Sequence, residues 1–239
     1  KNMVLVFDIE TIGADFDELD QATQESLTRW IKREAGDDSG KYNVMLKDLK
    51  EGLGFSPITG EIVALGIFDT IKNKGVIYYQ SPGQDQAEWK KDNFIFKPKS
   101  EPEMLKDFWQ GVRDYQEFVS FNGRSFDAPW LMIRSAVHKI KPTIDLMSNR
   151  YLNYQSRIKH IDLKDQLTFY GAVRRQGSLH LYCQAFNIKS PKAGGITGDD
   201  VGELFKTKEY KKIAEYNSWD LIATAELYKR WRDYIKISN

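Results

Sequence analysis

The chain has 239 residues, 41% hydrophobic and 29% charged, with 35 Lys/Arg against 34 Asp/Glu for a net charge of +1. That is the composition of a folded globular chain and excludes disordered and low-complexity classes. A single cysteine, Cys183, excludes an internal disulfide framework, and the lack of any 18-residue apolar run excludes a membrane-spanning helix.

In chain order, residues 3–11 form a short apolar run ending in acid, read as a buried strand with its polar residues at the C-terminal end. Asp8 comes too early for a signal peptide, and with the lone cysteine it points to a cytoplasmic protein. The polar stretch of about 15–54 reads as a helical insertion in one domain over 1–239, with a helix near 19–34 and a loop at 36–40. Residues 62–70 and 76–81 read as two strands joined by a hairpin loop at 71–75. A helix follows at 102–114, with Leu105, Phe108, Trp109 and Val112 on one face. Residues 118–121 form a strand broken by Asn122-Gly123, and Asp127-Ala128-Pro129 opens a helix through about 138. Residues 161–167 are ambiguous between strand end and helix start, 178–186 read as helix, and 189–198 as loop. Residues 208–234 carry one long helical period through Ile213, Tyr216, Asp220, Ala223, Leu227 and Trp231. Strands mingled with helices give an α/β class with a mixed sheet.

Charge is uneven along this order. Residues 1–54 carry −5 and residues 134–192 carry +8. A basic segment beside an acidic one fits a phosphate-binding wall next to a carboxylate metal site, and equally a solvated charged face.

Three sets of acids carry chemistry. Asp8 and Glu10 are two apart on a strand and so share a face, where two carboxylates repel unless a cation lies between them. Hard oxygen donors select Mg²⁺ or Mn²⁺. An Asp-x-Glu triplet alone arises by chance about once in a chain this long. Asp127 is either a third ligand or a helix cap. Tyr216 and Asp220 lie one helical turn apart and taken alone read as a core tyrosine and a solvated acid, but Asp220 interrupts an otherwise mostly apolar stripe, where an acid needs a partner. His138, His160, His180 and Cys183 lack the spacing of a zinc set, and Cys183 among Leu181, Tyr182 and Phe186 reads as a buried small hydrophobe.

Taken in order, Phe7-Asp8-Ile9-Glu10-Thr11, Asn122-Gly123-x-x-Phe126-Asp127 and Tyr216-x-x-x-Asp220 resemble the three motifs of the DEDD 3′–5′ exonucleases, and the tyrosine points to the DEDDy branch. Pro57-x-x-Gly60-Glu61-Ile62-Val63-Ala64, His160-Ile161-Asp162-Leu163-x-Asp165 and the Ser178-Leu179 helix resemble the exonucleases related to the proofreading domain of family B DNA polymerases. The resemblance runs from Val4 to about Trp231 and is broken by the 15–54 insertion.

It implies a ribonuclease H-like fold, a mixed central sheet flanked by helices. It implies that Asp8, Glu10, Asp127 and Asp220 hold two Mg²⁺ or Mn²⁺ ions and that Tyr216 orients the attacking water. The substrate is then the 3′ end of single-stranded nucleic acid, DNA favoured over RNA, cut to nucleoside 5′-monophosphates. A polymerase or repair protein is a candidate partner, and no membrane is involved. An exoribonuclease, or a catalytically silent binding module on the same fold, is the alternative. Thr11, Asn122 and Phe126 are candidate substrate contacts, with Arg174 and Arg175 beside Phe169 and Tyr170, and Lys189 and Lys192, as further ones. Asp162 reads as structural support.

Overall fold

The computed structural model describes residues 3–237. The strands in chain order are β1 (Val4–Gly13), β2 (Gly60–Asp69), β3 (Lys74–Tyr79), β4 (Trp89–Lys91), β5 (Phe94–Pro98), β6 (Glu117–Ser120) and β7 (Lys159–Asp162). The helices are α1 (Gln21–Ala35), α2 (Ser39–Gly52), α3 (Glu101–Gly111), α4 (Asp127–Val137), α5 (Leu163–Leu167), α6 (Leu179–Ala185), α7 (Val201–Lys206) and α8 (Tyr210–Tyr234). The strands form one mixed sheet in the order β4-β5-β3-β2-β1-β6-β7. β1 is an interior strand, antiparallel to β2 and parallel to β6.

Alternation along β1 explains the layers. Val4 and Val6 join the core under α8, while Leu5, Phe7 and Ile9 join the core under α3 and α4. A strand buried on both faces must be apolar throughout, as Val4-Leu5-Val6-Phe7 is. Period two then places Asp8 and Glu10 on the α8 face, just past the last apolar pair. Helix α8 keeps its place through its stripe: Ile213, Tyr216, Asp220, Ala223, Leu227 and Trp231 are all buried. On the other face Leu105, Phe108, Trp109 and Val112 are buried against Phe7, Phe118 and Leu131.

Three departures from the expected elements have local causes. The insertion contains two helices rather than one, because Gly36 (φ +57°) ends the first and the Asp38 carboxylate caps the second by accepting from the Lys41 N–H. Helix α2 buries none of its side chains, so its sequence carries little of the periodicity that reveals a helix. The short pair β4 and β5 was not expected; it is held by its ladder and by the Trp89–Phe96 stack at 3.8 Å, contacts made by tertiary pairing rather than local pattern. The ambiguous 161–167 stretch resolves into the end of β7 and the whole of the short helix α5, with Asp162 capping the change.

Candidate active site

The site is built where three elements meet at the C-terminal end of β1. Strand β6 ends at Ser120 while β1 runs on to Gly13, so β1 has no neighbouring strand on that flank at Ile9. Asp127 fills the gap: its Oδ1 accepts the Ile9 N–H at 2.9 Å, from the first residue of α4. The helix cap is Phe126, so Asp127 does not cap α4; its carboxylate turns onto β1 between the two acids of that strand. The β1–β2 register shifts between Glu10 and Thr11, a bulge directly after the acid pair.

Helix α8 supplies the facing side. Carboxylate oxygens of Asp8, Glu10 and Asp220 all lie within 4.8 Å of one another. Glu10 and Asp220 are buried and Asp8 is half-buried. Burial, then the charges of Asp127, Asp220 and Glu10, holds the Asp8 carboxyl well above its usual range. Burial and the charge of Asp220 do the same to Glu10. Burial pushes Asp127 up to about 7, against its backbone hydrogen bonds, and pushes Asp220 up to about 7, against the Tyr216 hydrogen bond and the charge of Lys192. Acids crowded and buried in this way are held apart from their ionised state unless a cation joins them. Three oxygen donors without an imidazole or thiolate fit a hard divalent cation, and these residues therefore fit Mg²⁺ or Mn²⁺.

The tyrosine stands beside them. Tyr216 hydrogen-bonds the Asp220 carboxylate one turn along α8, and burial followed by the charges of Asp220, Glu10 and Asp8 raises its phenol far above its ordinary value.

The other sequence candidates take more varied places. The Thr11 hydroxyl donates to the Gly54 carbonyl at 2.7 Å and so ties β1 to the end of the insertion. Asn122 takes a left-handed backbone (φ +64°), and its N–H donates to Asp162 Oδ1 at 2.9 Å. Asp162 Oδ2 accepts the Arg124 N–H and its Oδ1 the Lys164 N–H, so this carboxylate fixes the loop that leads to Asp127. Phe126 is half-buried, with its ring 5.7 Å from that of Trp130. Arg174 and Arg175 are exposed in the loop before α6. The histidines are far apart in role: His160 joins Ser120 Oγ and the Leu146 carbonyl, His138 joins Glu101, and His180 joins Ser190. Cys183 is buried.

Asn217 was missed. It is fully buried beside Tyr216, and its Nδ2 donates to Asp8 Oδ2 at 2.8 Å. Its signal was its place three residues before Asp220, on the same helical face.

The chain matches, over residues 84–236, the family model described as "Predicted 3'-5' exonuclease related to the exonuclease domain of PolB". The chain belongs to this family. The match holds Asp127, Tyr216 and Asp220, and the fold brings Asp8 and Glu10 to them from outside it. The chain is also 23% identical, over 235 residues and 92% of its length, to DNA polymerase 1 of Sulfurisphaera ohwakuensis. Its fold resembles the family B DNA polymerase of the archaeon Pyrobaculum calidifontis, with a TM-score of 0.59, 15% identity and 97% of this chain covered. This exonuclease-family chain spans about a quarter of the length of both relatives, 26% of the first and 25% of the second. The mixed seven-stranded sheet with helices on both faces is accordingly the ribonuclease H-like fold. Among the described residues no helix is long and apolar enough to cross a membrane.

Proposed function

We propose that residues 1–239 act as one exonuclease domain that hydrolyses single-stranded nucleic acid from its 3′ end, releasing nucleoside 5′-monophosphates. The observation that carries this reading is the convergence of Asp8, Glu10 and Asp220 within 4.8 Å beside the Tyr216 hydroxyl. When bound, two divalent ions supply a water of lowered pKa and neutralise the charge that builds on the phosphate. The rest is done by the chain. Asp8, Glu10 and Asp220 would be the ligands, and Asp127, outside that group and with one oxygen committed to Ile9, would be the fourth. Tyr216 orients the attacking water through its hydroxyl. Lys192, whose charge already acts on Asp220, contacts the substrate phosphate together with Lys189. Asn122 and Phe126 flank the terminal nucleotide from the loop fixed by Asp162.

The relative named DNA polymerase 1 favours DNA over RNA, and favours a polymerase or repair protein as the partner. The test is digestion of a 5′-labelled single-stranded DNA oligonucleotide and its RNA counterpart with Mg²⁺, Mn²⁺ or EDTA, beside Asp8→Ala and Asp220→Ala. A metal-dependent ladder shortening from the 3′ end, absent in both variants, is the expected result, with DNA the faster substrate. Folded protein that cuts neither polymer with either metal overturns the reading in favour of a silent binding module.

A further inference from the structure

We infer that Asn217 is a positioning residue that holds Asp8 in ligand geometry before any cation arrives. The inference rests on the metal-site reading above and adds a residue to it. The Asn217 carboxamide is fully buried and donates from Nδ2 to Asp8 Oδ2 at 2.8 Å. A neutral donor fixes one oxygen of Asp8 without adding charge to a crowded set of acids.

The other end of the amide shows that this is its purpose in the fold. Asn217 Oδ1 is buried and has no hydrogen-bond partner in the protein. Turning the amide over would set that oxygen against the carboxylates and lose the bond to Asp8, so its orientation is fixed by the acids. A buried, half-satisfied amide is unfavourable for stability alone. The fold nevertheless makes room for it. Gly66 lies opposite Asp8 in the β1–β2 ladder, and a Cβ there would come within 2.0 Å of Asn217 Oδ1. An apolar residue at 217 would remove the unpaired oxygen and would also remove the bond to Asp8. Groups that orient metal ligands commonly contribute 10–100-fold to metal affinity, and Asn217 stands in that relation to Asp8.

The test reads metal binding without turnover. Mn²⁺ is titrated against the full chain and against Asn217→Ala, with free ion followed by its paramagnetic resonance signal. Folding is checked by circular dichroism. The expected result is that half-saturation of Asn217→Ala needs about 10–100-fold more free Mn²⁺ than the unchanged protein. An unchanged Mn²⁺ midpoint, whatever happens to the melting temperature, makes Asn217 merely structural and overturns the inference. If the unchanged protein itself binds no Mn²⁺, the metal-site reading fails, and the two failures are told apart by that control. If Asn217→Ala does not fold, amide exchange in the unchanged metal-free protein decides. The Asn217 side-chain protons are expected to be protected, and exchange at the rate of a free amide overturns the inference.

Discussion

Asp127 Oδ1 accepts the Ile9 N–H at 2.9 Å, across 118 positions of sequence. The bond separates two roles of one side chain, an acceptor for the backbone and a negative charge beside Asp8. Asp127→Asn keeps the acceptor and removes the charge, whereas Asp127→Ala removes both. Denaturant unfolding of the metal-free proteins should find the alanine variant less stable than the asparagine one by about 1–3 kcal/mol, the cost of a buried N–H left without a partner. Both should lose nuclease activity by a factor on the order of 100 or more, as expected when a group acting on the charge of the reacting phosphate is removed. Equal stabilities would show that the bond to Ile9 holds nothing.

The raised acids make stability depend on pH in a defined direction. Asp127 and Asp220 are pushed up to about 7 in the folded chain, against an unfolded value of about 3.9. Between those values the folded chain binds more protons than the unfolded one, so stability falls as pH rises through the window and levels above about 7. His160 acts in the opposite sense, because burial lowers it to about 4, and its folded-state cost is lost as pH rises toward about 6.5. Comparing the metal-free protein with Asp220→Asn cancels His160, which is unchanged in both. The unchanged protein should lose more stability between pH 4 and 7 than Asp220→Asn. Saturating Mg²⁺ should shrink the difference, because a bound cation favours the charged acids. Parallel pH profiles without metal would contradict the burial and repulsion assigned to this cluster.

The order of motifs along the chain pointed to the candidate site, because Asp8, Glu10 and Asp220 sit on elements whose own pattern is strong. Val4-Leu5-Val6-Phe7 reads as a buried strand, which the structure bears out on both faces, and period two puts Asp8 and Glu10 on one face. The stripe from Ile213 to Trp231 fixed the face of Asp220 in the same way. What sequence left unread depends on contacts across the chain. Asp127 read as a cap or a ligand, and its bond to the Ile9 N–H could not be read at all, because it depends on β6 ending at Ser120. Asn217 is an ordinary polar residue on a helix until Gly66, 151 positions earlier, opens the space for its amide. Thr11 reads as a substrate contact from its place after Glu10, yet its hydroxyl is engaged by Gly54.

The Pro57-to-Ala64 motif turns out to anchor the fold near the site. Buried Glu101 accepts the Ile62 N–H at 2.9 Å, two bonds from Arg134 at 2.8 and 2.6 Å, and lies 2.6 Å from His138 Nε2. Arg134 also donates to the Pro57 carbonyl, so one ion pair joins α3, α4 and the entry to β2. Glu101→Gln leaves the partly buried guanidinium without its counter-charge, and thermal or denaturant unfolding should record a loss of about 3–5 kcal/mol. Replacing both partners with apolar residues should cost less than that single change. A single change that costs under about 1 kcal/mol would mean the pair is solvated and not an anchor.

The insertion bears on which substrates reach the acids. Its end is seated on β1 just past Glu10, where Thr11 Oγ1 donates to the Gly54 carbonyl at 2.7 Å, and the segment that follows is tied back by the Ala14 N–H to the Thr59 carbonyl at 2.8 Å. A Cβ on Gly13 would meet Leu53 Cβ at 2.7 Å and the Gly54 nitrogen at 2.8 Å, so only glycine allows this approach. Phe55 and Ile58 are exposed on the seated segment. If the insertion is a lid that narrows entry to single strands, Gly13→Ala should lift it without touching an acid. Digestion of blunt duplex should then rise relative to single strand by about tenfold, equivalent to 1.4 kcal/mol of lost discrimination. Deleting residues 15–54 should produce the same change if the shortened chain keeps its far-ultraviolet spectrum. An unchanged duplex-to-single-strand ratio in a folded Gly13→Ala protein would rule the lid out, since the contact that seats the insertion would be gone while selectivity stayed.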